Sequence, residues 1–381
     1  MGTAAGKVER RSDVTVDRRR FLGAVGVGAG LLMTEGVAGA RAEVRVYLGT
    51  YTTWSGGGTG LGLASYDAAT GRLRSTGVVA GVPNPSFVIN AGRRVYAVNE
   101  QSKGTVTALA VGADGVPKVL NVQSTGGADP CHLVLHRGHV LAANYSSGSV
   151  SVHPVRPDGG LGPRTDLVRH KGSGPDPDRQ DGPHAHQVVV DPAGAFVHAV
   201  DLGADAVFGY RLDGGRLTRV STARLHPGAG PRHLAFHPSG RHAYIANELD
   251  STVVVASYER GALTPGRKFD TLPAGAPTTP RNYPAEVVVS ADGRFVYLSN
   301  RGHDSVAVFA VEDGGASLRL LEATPVGGDF PRHIALDPTG GLLFASNQNS
   351  NTVTTFAVDR ATGRLKLTST FPAPIPVCVA L

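Results

Sequence analysis

The chain has 381 residues, of which 51 are glycine and 25 are proline, so about one position in five disfavours a helix interior and favours a turn. Hydrophobic residues make up 41% and charged residues 18%, which is enough apolar material for a packed core. This composition excludes helical bundles, coiled coils and most doubly wound folds, and it favours many short strands joined by tight turns.

The formal net charge of +6 divides into two unequal parts of the chain. Residues 1–41 hold seven basic and four acidic residues, a net +3, and the remaining 30 basic and 27 acidic residues give the other +3. A net charge of +3 over residues 42–381 is too small to indicate a surface that binds a polyanion. No basic stripe with interleaved aromatic residues occurs in that part of the chain either. Nucleic-acid binding is therefore not expected.

The N-terminal segment resembles an export leader. Arg18, Arg19 and Arg20 precede the apolar run 21–33, and small residues at 38–40 or 40–42 offer a cleavage site. Thirteen apolar residues are too few to span a bilayer, which needs roughly 20. The sequence predicts that residues 1–40 are a twin-arginine signal peptide and that residues 41–381 are exported already folded, to the periplasm or the extracellular space, with no membrane attachment after cleavage. The alternative is a basic N-terminal tail.

The body is built from an internal repeat. Segments 185–194, 230–241, 284–294 and 331–340 align without gaps as a short apolar strand followed by a turn containing Gly. Each repeat continues with a second strand that ends in a polar marker residue. These markers are Thr50, Asn99, Asn144, Asp201, Asn247, Asn300 and Asn347. Consecutive markers lie 45 to 57 residues apart, which is the period of a β-propeller blade.

Third strands follow the markers at 149–152, 206–210, 252–257, 305–311 and 352–358, and a weaker fourth strand follows, as at 364–368. Seven markers predict an all-β, seven-bladed propeller with four antiparallel strands per blade. The C-terminal segment 376–381 matches a first strand, and segment 44–50 is a second strand without a first. The two chain ends are therefore expected to complete one blade, which closes the ring and leaves no open sheet edge there.

Several kinds of site lack support. Cys131 and Cys378 would lie two blades apart, so free buried thiols are expected rather than a disulfide. The Gly-rich segment 55–60 lacks the Gly-Lys-Ser/Thr ending of a phosphate loop, and no Gly-x-Ser-x-Gly elbow occurs. His184 and His186 have no third metal ligand at a characteristic spacing, so neither a metal nor another cofactor is expected.

In a propeller, the start of each first strand and the turn after each second strand lie at the same mouth of the axial channel. The insertions 163–183 and 265–283 should rim that mouth, where function is sought first. His132, His233 and His333 share one position in three blades, which favours an architectural role, as it does for the markers.

Residues that break the repeat at the mouth are the better functional candidates. His186 stands where other blades carry Arg232 and Arg332, and Glu248 and Arg301 each directly follow a marker. His and Glu can transfer a proton, and arginine forks suit a carboxylate or phosphate. The alternative is that Arg232 and Glu248 form a purely structural ion pair.

Short phrases along the body resemble the seven-bladed β-propeller lactonase family, which includes propeller-type 6-phosphogluconolactonases and carboxymuconate lactonizing enzymes. They are YLGTY at 47–51, NPSF at 84–87, AVNE at 97–100, ANY at 143–145, HAH at 184–186, DLGAD at 201–205, GPRH at 230–233, NEL at 247–249 and LSNR at 298–301. The resemblance places the family's active-site residues on His186, Arg232, Glu248 and Arg301. His184, Arg332 and Glu100 are further candidates for substrate binding.

The resemblance implies attack of water on a sugar lactone without a metal, or the related ring closure of a muconate. The expected partner is a small anionic lactone or carboxylate, and the protein is expected to be a monomer. The leader is a departure, because a phosphorylated lactone of central metabolism is cytoplasmic. The alternative hypothesis is that the propeller binds a ligand or a protein without catalysing a reaction.

Overall fold

The computed structural model describes residues 43–381. The predicted leader, residues 1–40, and residues 41 and 42 lie outside the described residues. Within the described part, 28 strands form seven four-stranded antiparallel sheets, which confirms the predicted all-β, seven-bladed propeller. A single turn of 3-10 helix, Asp313–Gly315, interrupts the strands.

The seven sheets are numbered as blades in chain order. Blade 1 contains β1 (Glu43–Thr50), β2 (Gly60–Asp67) and β3 (Leu73–Ala80). Blade 2 contains β4 (Val88–Asn90), β5 (Arg94–Asn99), β6 (Thr105–Val111) and β7 (Pro117–Ser124). Blade 3 contains β8 (Pro130–His136), β9 (His139–Asn144), β10 (Ser149–Pro154) and β11 (Asp166–Arg169). Blade 4 contains β12 (Ala185–Val190), β13 (Val197–Asp201), β14 (Ala206–Asp213) and β15 (Arg216–Arg224).

The remaining blades follow the same pattern. Blade 5 contains β16 (Pro231–Phe236), β17 (His242–Asn247), β18 (Thr252–Glu259) and β19 (Ala262–Asp270). Blade 6 contains β20 (Tyr283–Val289), β21 (Phe295–Arg301), β22 (Ser305–Glu312) and β23 (Ser317–Pro325). Blade 7 contains β24 (Pro331–Leu336), β25 (Leu342–Asn347), β26 (Thr352–Val358) and β27 (Leu365–Pro372). The last strand, β28 (Pro376–Ala380), belongs to blade 1.

Both ends of the described chain meet in blade 1, as the repeat predicts. The strand order is β28-β1-β2-β3, and Leu48 pairs with Val379 in an antiparallel register. Closing the ring in this way pairs the inner edge of β1 with a strand more than 320 residues away in sequence. Both cysteines are buried and free, as expected.

The hydrophobic core is divided among the interfaces between blades. Seven clusters of buried side chains each join two neighbouring blades, and together they run from blade 1 to blade 7 and back to blade 1. Alternating apolar residues on the middle strands supply these clusters, because successive side chains of a strand point to opposite faces. Apolar contacts between neighbouring blades therefore stabilise the ring, and polar residues line the central channel.

The turn between first and second strands depends on glycine. Gly194, Gly240, Gly293 and Gly340 hold equivalent positions and have φ between 64° and 73°, a region that favours residues without a Cβ.

The marker residues at the ends of the second strands are buried, and their side chains form hydrogen bonds mainly with neighbouring strands and loops. Asn347, for example, donates to the hydroxyls of Thr352 and Thr354 on β26.

A bulge at the start of the inner strands turns side chains into the channel. In β16 the pairing passes from Pro231 opposite Asn247 to His233 opposite Ala246, which leaves Arg232 as the extra residue. A bulge of this kind re-aims side chains, so that two consecutive residues can face the axis. The same shift occurs in β8, β12, β20 and β24.

Candidate active site

The four residues singled out by the sequence come from three consecutive blades at one mouth of the channel. His186 lies at the start of β12, Arg232 at the start of β16, Glu248 directly after β17, and Arg301 at the end of β21. All four are at most 5% exposed. Their side chains are thus withdrawn from bulk water, where electrostatic interactions are strong.

Glu248 is the centre of an arginine cluster. Its Oε2 accepts from Arg301 Nη2 at 2.6 Å and lies 3.3 Å from Arg232 Nε, and its Oε1 accepts from Arg179 Nη2 at 2.6 Å. Burial by itself raises the pKa of this carboxyl, but Arg301, Arg179 and Arg232 outweigh burial and hold the pKa well below its usual range. Glu248 is therefore a permanent anion that organises three guanidinium groups.

The guanidinium of Arg232 has donor capacity that its protein neighbours do not use. Arg232 is 2% exposed, its Nη1 has no hydrogen-bond partner within residues 43–381, and its Nε makes only the ion-pair contact with Glu248 at 3.3 Å. Burial, together with the nearby Arg301 and Arg332, lowers the pKa of Arg232, yet a guanidinium stays protonated at neutral pH. A buried cation with unsatisfied donors is costly, and an anion placed against it would remove that cost.

Arg301 is fixed more firmly than Arg232. Its Nε donates to the carbonyl of Tyr283 at 3.0 Å, its Nη2 also approaches the carbonyl of Pro284 at 3.3 Å, and its guanidinium lies 5.2 Å from the ring centre of Phe330. Burial lowers the pKa of Arg301, and Glu248 opposes that effect. Arg301 thus has a set position beside Glu248 before any ligand arrives.

His186 lies beside this cluster as a neutral imidazole. Burial, followed by the positive charge of Arg232 and the neighbouring His233, lowers its pKa well below the ordinary value. Its Nδ1 lies 3.2 Å from His233 Nε2, and its ring meets Tyr145 edge-on with centroids 5.6 Å apart. A neutral histidine has one nitrogen free to accept a proton at neutral pH.

A second acid–arginine pair lies across the channel mouth. Arg332 Nη2 is 3.8 Å from Glu100 Oε1, which also accepts from the hydroxyl of Tyr51 at 2.8 Å. The guanidinium of Arg332 lies 5.7 Å from the ring centre of Tyr51. With this pair included, four arginines and two glutamates meet at the mouth, and the excess of positive charge suits an anion.

The family model for a lactonase of the seven-bladed β-propeller type matches residues 45–381. The chain is 37% identical over 292 residues to the 6-phosphogluconolactonase of Bacillus subtilis, which covers 74% of this chain and 82% of that protein. The structure of a periplasmic gluconolactonase of Pseudomonas aeruginosa superposes with a TM-score of 0.81 at 32% identity, covering 88% of this chain and 98% of that one. A structure from Lactobacillus plantarum gives a TM-score of 0.83 at 34% identity, over 89% and 99% of the two chains.

The chain belongs to the seven-bladed β-propeller lactonase family. It is therefore an enzyme of the lactonase class, and the resemblance read from the sequence is confirmed. The role of each site residue in this lactonase remains a prediction.

His184 stands apart from the other candidates in this lactonase. Its ring stacks on Tyr145 with centroids 4.6 Å apart, its Nδ1 lies 3.2 Å from the Tyr145 carbonyl, and its Nε2 lies 3.3 Å from Asp181. Both ring nitrogens are thus engaged by the protein. The geometry favours His184 as a support for Tyr145 over direct contact with a ligand.

The first insertion supplies a residue that the repeat did not single out. Arg179 lies within 163–183, and besides Glu248 it bonds the Tyr145 hydroxyl at 3.2 Å. In the second insertion β19 takes up residues 265–270, and Arg281 donates to the carbonyl of Leu249, next to Glu248. Both insertions reach the mouth of the lactonase channel, as the sequence predicts.

Glu286 is the second residue missed by sequence reasoning. It is buried one layer deeper in the channel, bonded to His233 at 2.9 Å. Its place in the repeat carried a signal, because it is the acidic member of a ring of equivalent positions. That ring is Phe87, His132, Gln187, His233, Glu286, His333 and Cys378. Among the described residues, no three His, Cys, Asp or Glu side chains form a group that could hold a metal ion.

Proposed function

We propose that this lactonase hydrolyses the ring ester of an anionic sugar lactone at the mouth of the channel that holds Arg232. The observation that carries the proposal is the buried guanidinium of Arg232, whose Nη1 has no partner within the described residues and whose Nε is engaged only by the ion pair with Glu248 Oε2 at 3.3 Å. Those donors suit the oxyanion that develops when water attacks a lactone carbonyl. The neighbouring His186 and the excess of arginine complete the requirements for ester hydrolysis.

In the proposed reaction His186 is the base. It takes a proton from water as the water oxygen attacks the lactone carbonyl carbon, which gives a tetrahedral oxyanion beside Arg232. The intermediate then breaks the bond between the carbonyl carbon and the ring oxygen, and protonated His186 returns the proton to the leaving alkoxide. The product is a hydroxy acid, which releases one proton to solvent at neutral pH.

Glu248 has a different part in this proposal. A carboxylate held by three guanidinium groups is a poor base, because its pKa is far below that of an ordinary glutamate. Its task is to keep Arg301, Arg179 and Arg232 oriented toward the substrate. Arg301 and Arg179 then attract the anionic group of the lactone or its product, as arginine forks do for carboxylates and phosphates.

The substrate class is a gluconolactone, with or without a phosphate group. Support comes from two relatives whose names describe both cases, the 6-phosphogluconolactonase of Bacillus subtilis and the periplasmic gluconolactonase of Pseudomonas aeruginosa. Four arginines against two glutamates at the mouth favour an anionic group on the substrate. A carboxymuconolactone carries such a group as well, so ring closure of a muconate is the second candidate.

The experiment is lactone opening followed by proton release in weak buffer. Gluconolactone, its 6-phosphate and a carboxymuconolactone are compared with wild type and with the Glu248→Ala/Arg232→Ala double variant, after subtraction of spontaneous hydrolysis. Wild type should accelerate at least one substrate by orders of magnitude, and the double variant should not. Equal rates for both proteins on all three substrates would leave a binding propeller without catalysis. The proposed reaction needs no metal, so dialysis against EDTA should leave the rate unchanged.

Export through the twin-arginine route is part of the proposal, and it rests on the sequence of residues 1–40. The name of the Pseudomonas aeruginosa neighbour, a periplasmic enzyme, is compatible with it. Arg19→Lys together with Arg20→Lys should retain the protein in the cytoplasm, whereas the full chain appears outside it in shortened form. Normal export of the double lysine variant would contradict this part.

A further inference from the structure

A line of three hydrogen-bonded side chains connects the mouth of the channel to its interior. His186 Nδ1 lies 3.2 Å from His233 Nε2, and His233 Nδ1 lies 2.9 Å from Glu286 Oε1. The three residues come from the inner strands of blades 4, 5 and 6, and all are at most 6% exposed. His233 uses both ring nitrogens, one toward Glu286 and one toward His186, so the position of its proton determines which nitrogen of His186 is protonated.

The inner end of the line sets the direction of donation. Glu286 Oε1 also accepts the backbone N–H of Val287 at 3.3 Å, so this oxygen is an acceptor. The other oxygen, Oε2, lies 3.7 Å from Nε2 of His333, and that ring accepts the backbone N–H of Val379 on Nδ1, so a neutral His333 presents Nε2–H to Oε2. Both oxygens of Glu286 thus face donors, and His233 donates Nδ1–H to Oε1.

The direction of the hydrogen bond between His233 and Glu286 determines the direction of the bond between His186 and His233. Burial and the charge of Arg232 lower the pKa of His233 well below its ordinary value, so at neutral pH the ring carries a single proton. With that proton on Nδ1, Nε2 of His233 is an acceptor. His186 must then donate Nδ1–H, which leaves the lone pair of its own ring on Nε2.

We infer that Glu286 and His233 are positioning residues that hold His186 in the tautomer with a basic Nε2, and so make His186 the residue that accepts the proton of the attacking water. The inference rests on the proposed lactone hydrolysis and deepens it by assigning the base. The arrangement parallels the way a buried carboxylate sets a catalytic imidazole in a triad, with a second imidazole placed between the two.

His132 provides an internal comparison in the same ring of positions. Its ring packs 4.0 Å from Phe87 and 5.2 Å from His233, and its Nδ1 has no hydrogen-bond partner within the described residues. His132 is therefore buried in the same layer as His233 but outside the line. A substitution there tests packing of the channel without touching the tautomer of His186.

Other charged and titratable groups also face the line, and any pH experiment must take them into account. Those that act on the pKa values of its members are Arg232, Arg301, Arg332 and His333, and the ring of His132 lies 5.2 Å from that of His233. His333 accepts the backbone N–H of Val379 on Nδ1 and turns Nε2 toward Glu286 Oε2 at 3.7 Å. Glu286 and His333 also line a cavity of about 370 Å³ toward the opposite end of the channel.

The first test reads the tautomer without any substrate. In the full chain labelled with [15N]histidine, the His186 resonances are assigned by their loss in His186→Gln. At neutral pH they should show a protonated Nδ1 and an unprotonated Nε2. A protonated Nε2 would overturn the inference, whether or not the protein hydrolyses lactones.

The second test uses matched pairs of variants on the most active lactone. Glu286→Leu should lower kcat at least tenfold with KM nearly unchanged, whereas Glu286→Gln retains an acceptor oxygen and should stay within about threefold of wild type. His233→Phe should lose kcat in the same way, whereas His132→Phe, the same change in another blade, should not. Equal losses in His233→Phe and His132→Phe, or in the two Glu286 variants, would mean that these residues only pack the channel.

The two tests separate the two levels of proposal. If wild type hydrolyses none of the lactones, the proposed function fails, and the nitrogen resonances still decide the tautomer. If wild type is active and the resonances place the proton on Nε2 of His186, the positioning role fails alone. Glu286→Leu should additionally shift the His186 resonances toward a mixture of tautomers, and unchanged resonances in that variant would contradict control by Glu286.

Discussion

Arg179 donates a hydrogen bond from Nη2 to Oε1 of Glu248 at 2.6 Å, although the two residues belong to different blades and lie 69 positions apart. The loop between β11 and β12 thus reaches over the channel mouth to the turn after β17. The side chain of Arg179 is 33% exposed, whereas that of Glu248 is 5% exposed. A partly solvated guanidinium therefore covers a buried carboxylate, at the place where a substrate would enter.

Removal of this cover should weaken substrate binding more than chemistry. In Arg179→Ala we expect KM for an anionic lactone to rise about fivefold, as for the loss of about 1 kcal/mol from a partly exposed ion pair, with kcat nearly unchanged. Arg169→Ala, an exposed arginine of the same insertion, is the control and should behave like wild type. A loss confined to kcat would instead place Arg179 at the reacting atoms.

Loss of the Arg232 guanidinium should affect the chemical step. Arg232→Gln keeps a polar side chain and removes the charge, and kcat/KM should fall by about 10²–10³, the effect of removing one oxyanion donor. Arg241→Gln, an exposed arginine on the same blade at the opposite end of the strands, should leave kcat/KM unchanged. A fall of less than about threefold in Arg232→Gln would assign Arg232 to structure alone.

Neutralising Glu248 should destabilise the fold, because three guanidiniums would lose their counter-charge. Glu248→Gln is expected to lower the free energy of unfolding by about 3 kcal/mol, measured by urea at pH 7. Adding Arg232→Gln to that variant removes one uncompensated cation and should restore part of the stability. Additive effects of the two changes would show that Arg232 and Glu248 are not energetically coupled.

The pH dependence of the rate follows from the neutral state of His186. The base must be unprotonated, and burial with Arg232 nearby lowers its pKa well below 6.5. The value of kcat/KM should therefore be constant from pH 8 to pH 6 and fall only at lower pH, with lactone loss followed by NMR and corrected for spontaneous hydrolysis. An activity midpoint at or above pH 6.5 would exclude a buried histidine as the base.

Acid should also destabilise the folded chain. Burial lowers the pKa of His153 and of His198 to about 4, while the unfolded chain binds these protons near pH 6.5. Stability is then full above about pH 6.5 and is lost as the pH falls toward 4. His198→Phe fills the same contacts with Phe236 and Tyr258 and should reduce the slope of unfolding free energy by about 1.4 kcal/mol per pH unit. An unchanged slope between pH 6 and 4.5 would contradict this assignment.

Much of the site was open to prediction because the fold repeats. Once the markers fixed the blade period, every first strand could be aligned, and deviations such as His186 and Glu248 became visible against their equivalents. The bulge that turns Arg232 into the channel also recurs between blades, so its position follows from the alignment. The local sequence, together with the regular repeat of the blades, was sufficient to predict that these residues lie at the channel mouth.

Two other residues depend on contacts that no repeat encodes. Arg179 lies in an insertion without equivalents, and only the path of that loop over the channel brings it to Glu248. Glu286 occupies a regular position of the repeat in blade 6, but its proposed role depends on its hydrogen bond with His233 of the neighbouring blade 5.

The period of 45 to 57 residues was sufficient to predict the number of blades and the closure of the ring by both chain ends, and departures from the repeat marked His186, Glu248 and Arg301 as candidates at the mouth. Only the folded ring shows which charges pair, that Nη1 of Arg232 has no hydrogen-bond partner among residues 43–381, and that Glu286 faces the ring of His186 through His233. The physical reason is that pairing across an axis depends on the distance between side chains of different blades. That distance is set by the packing of the whole ring.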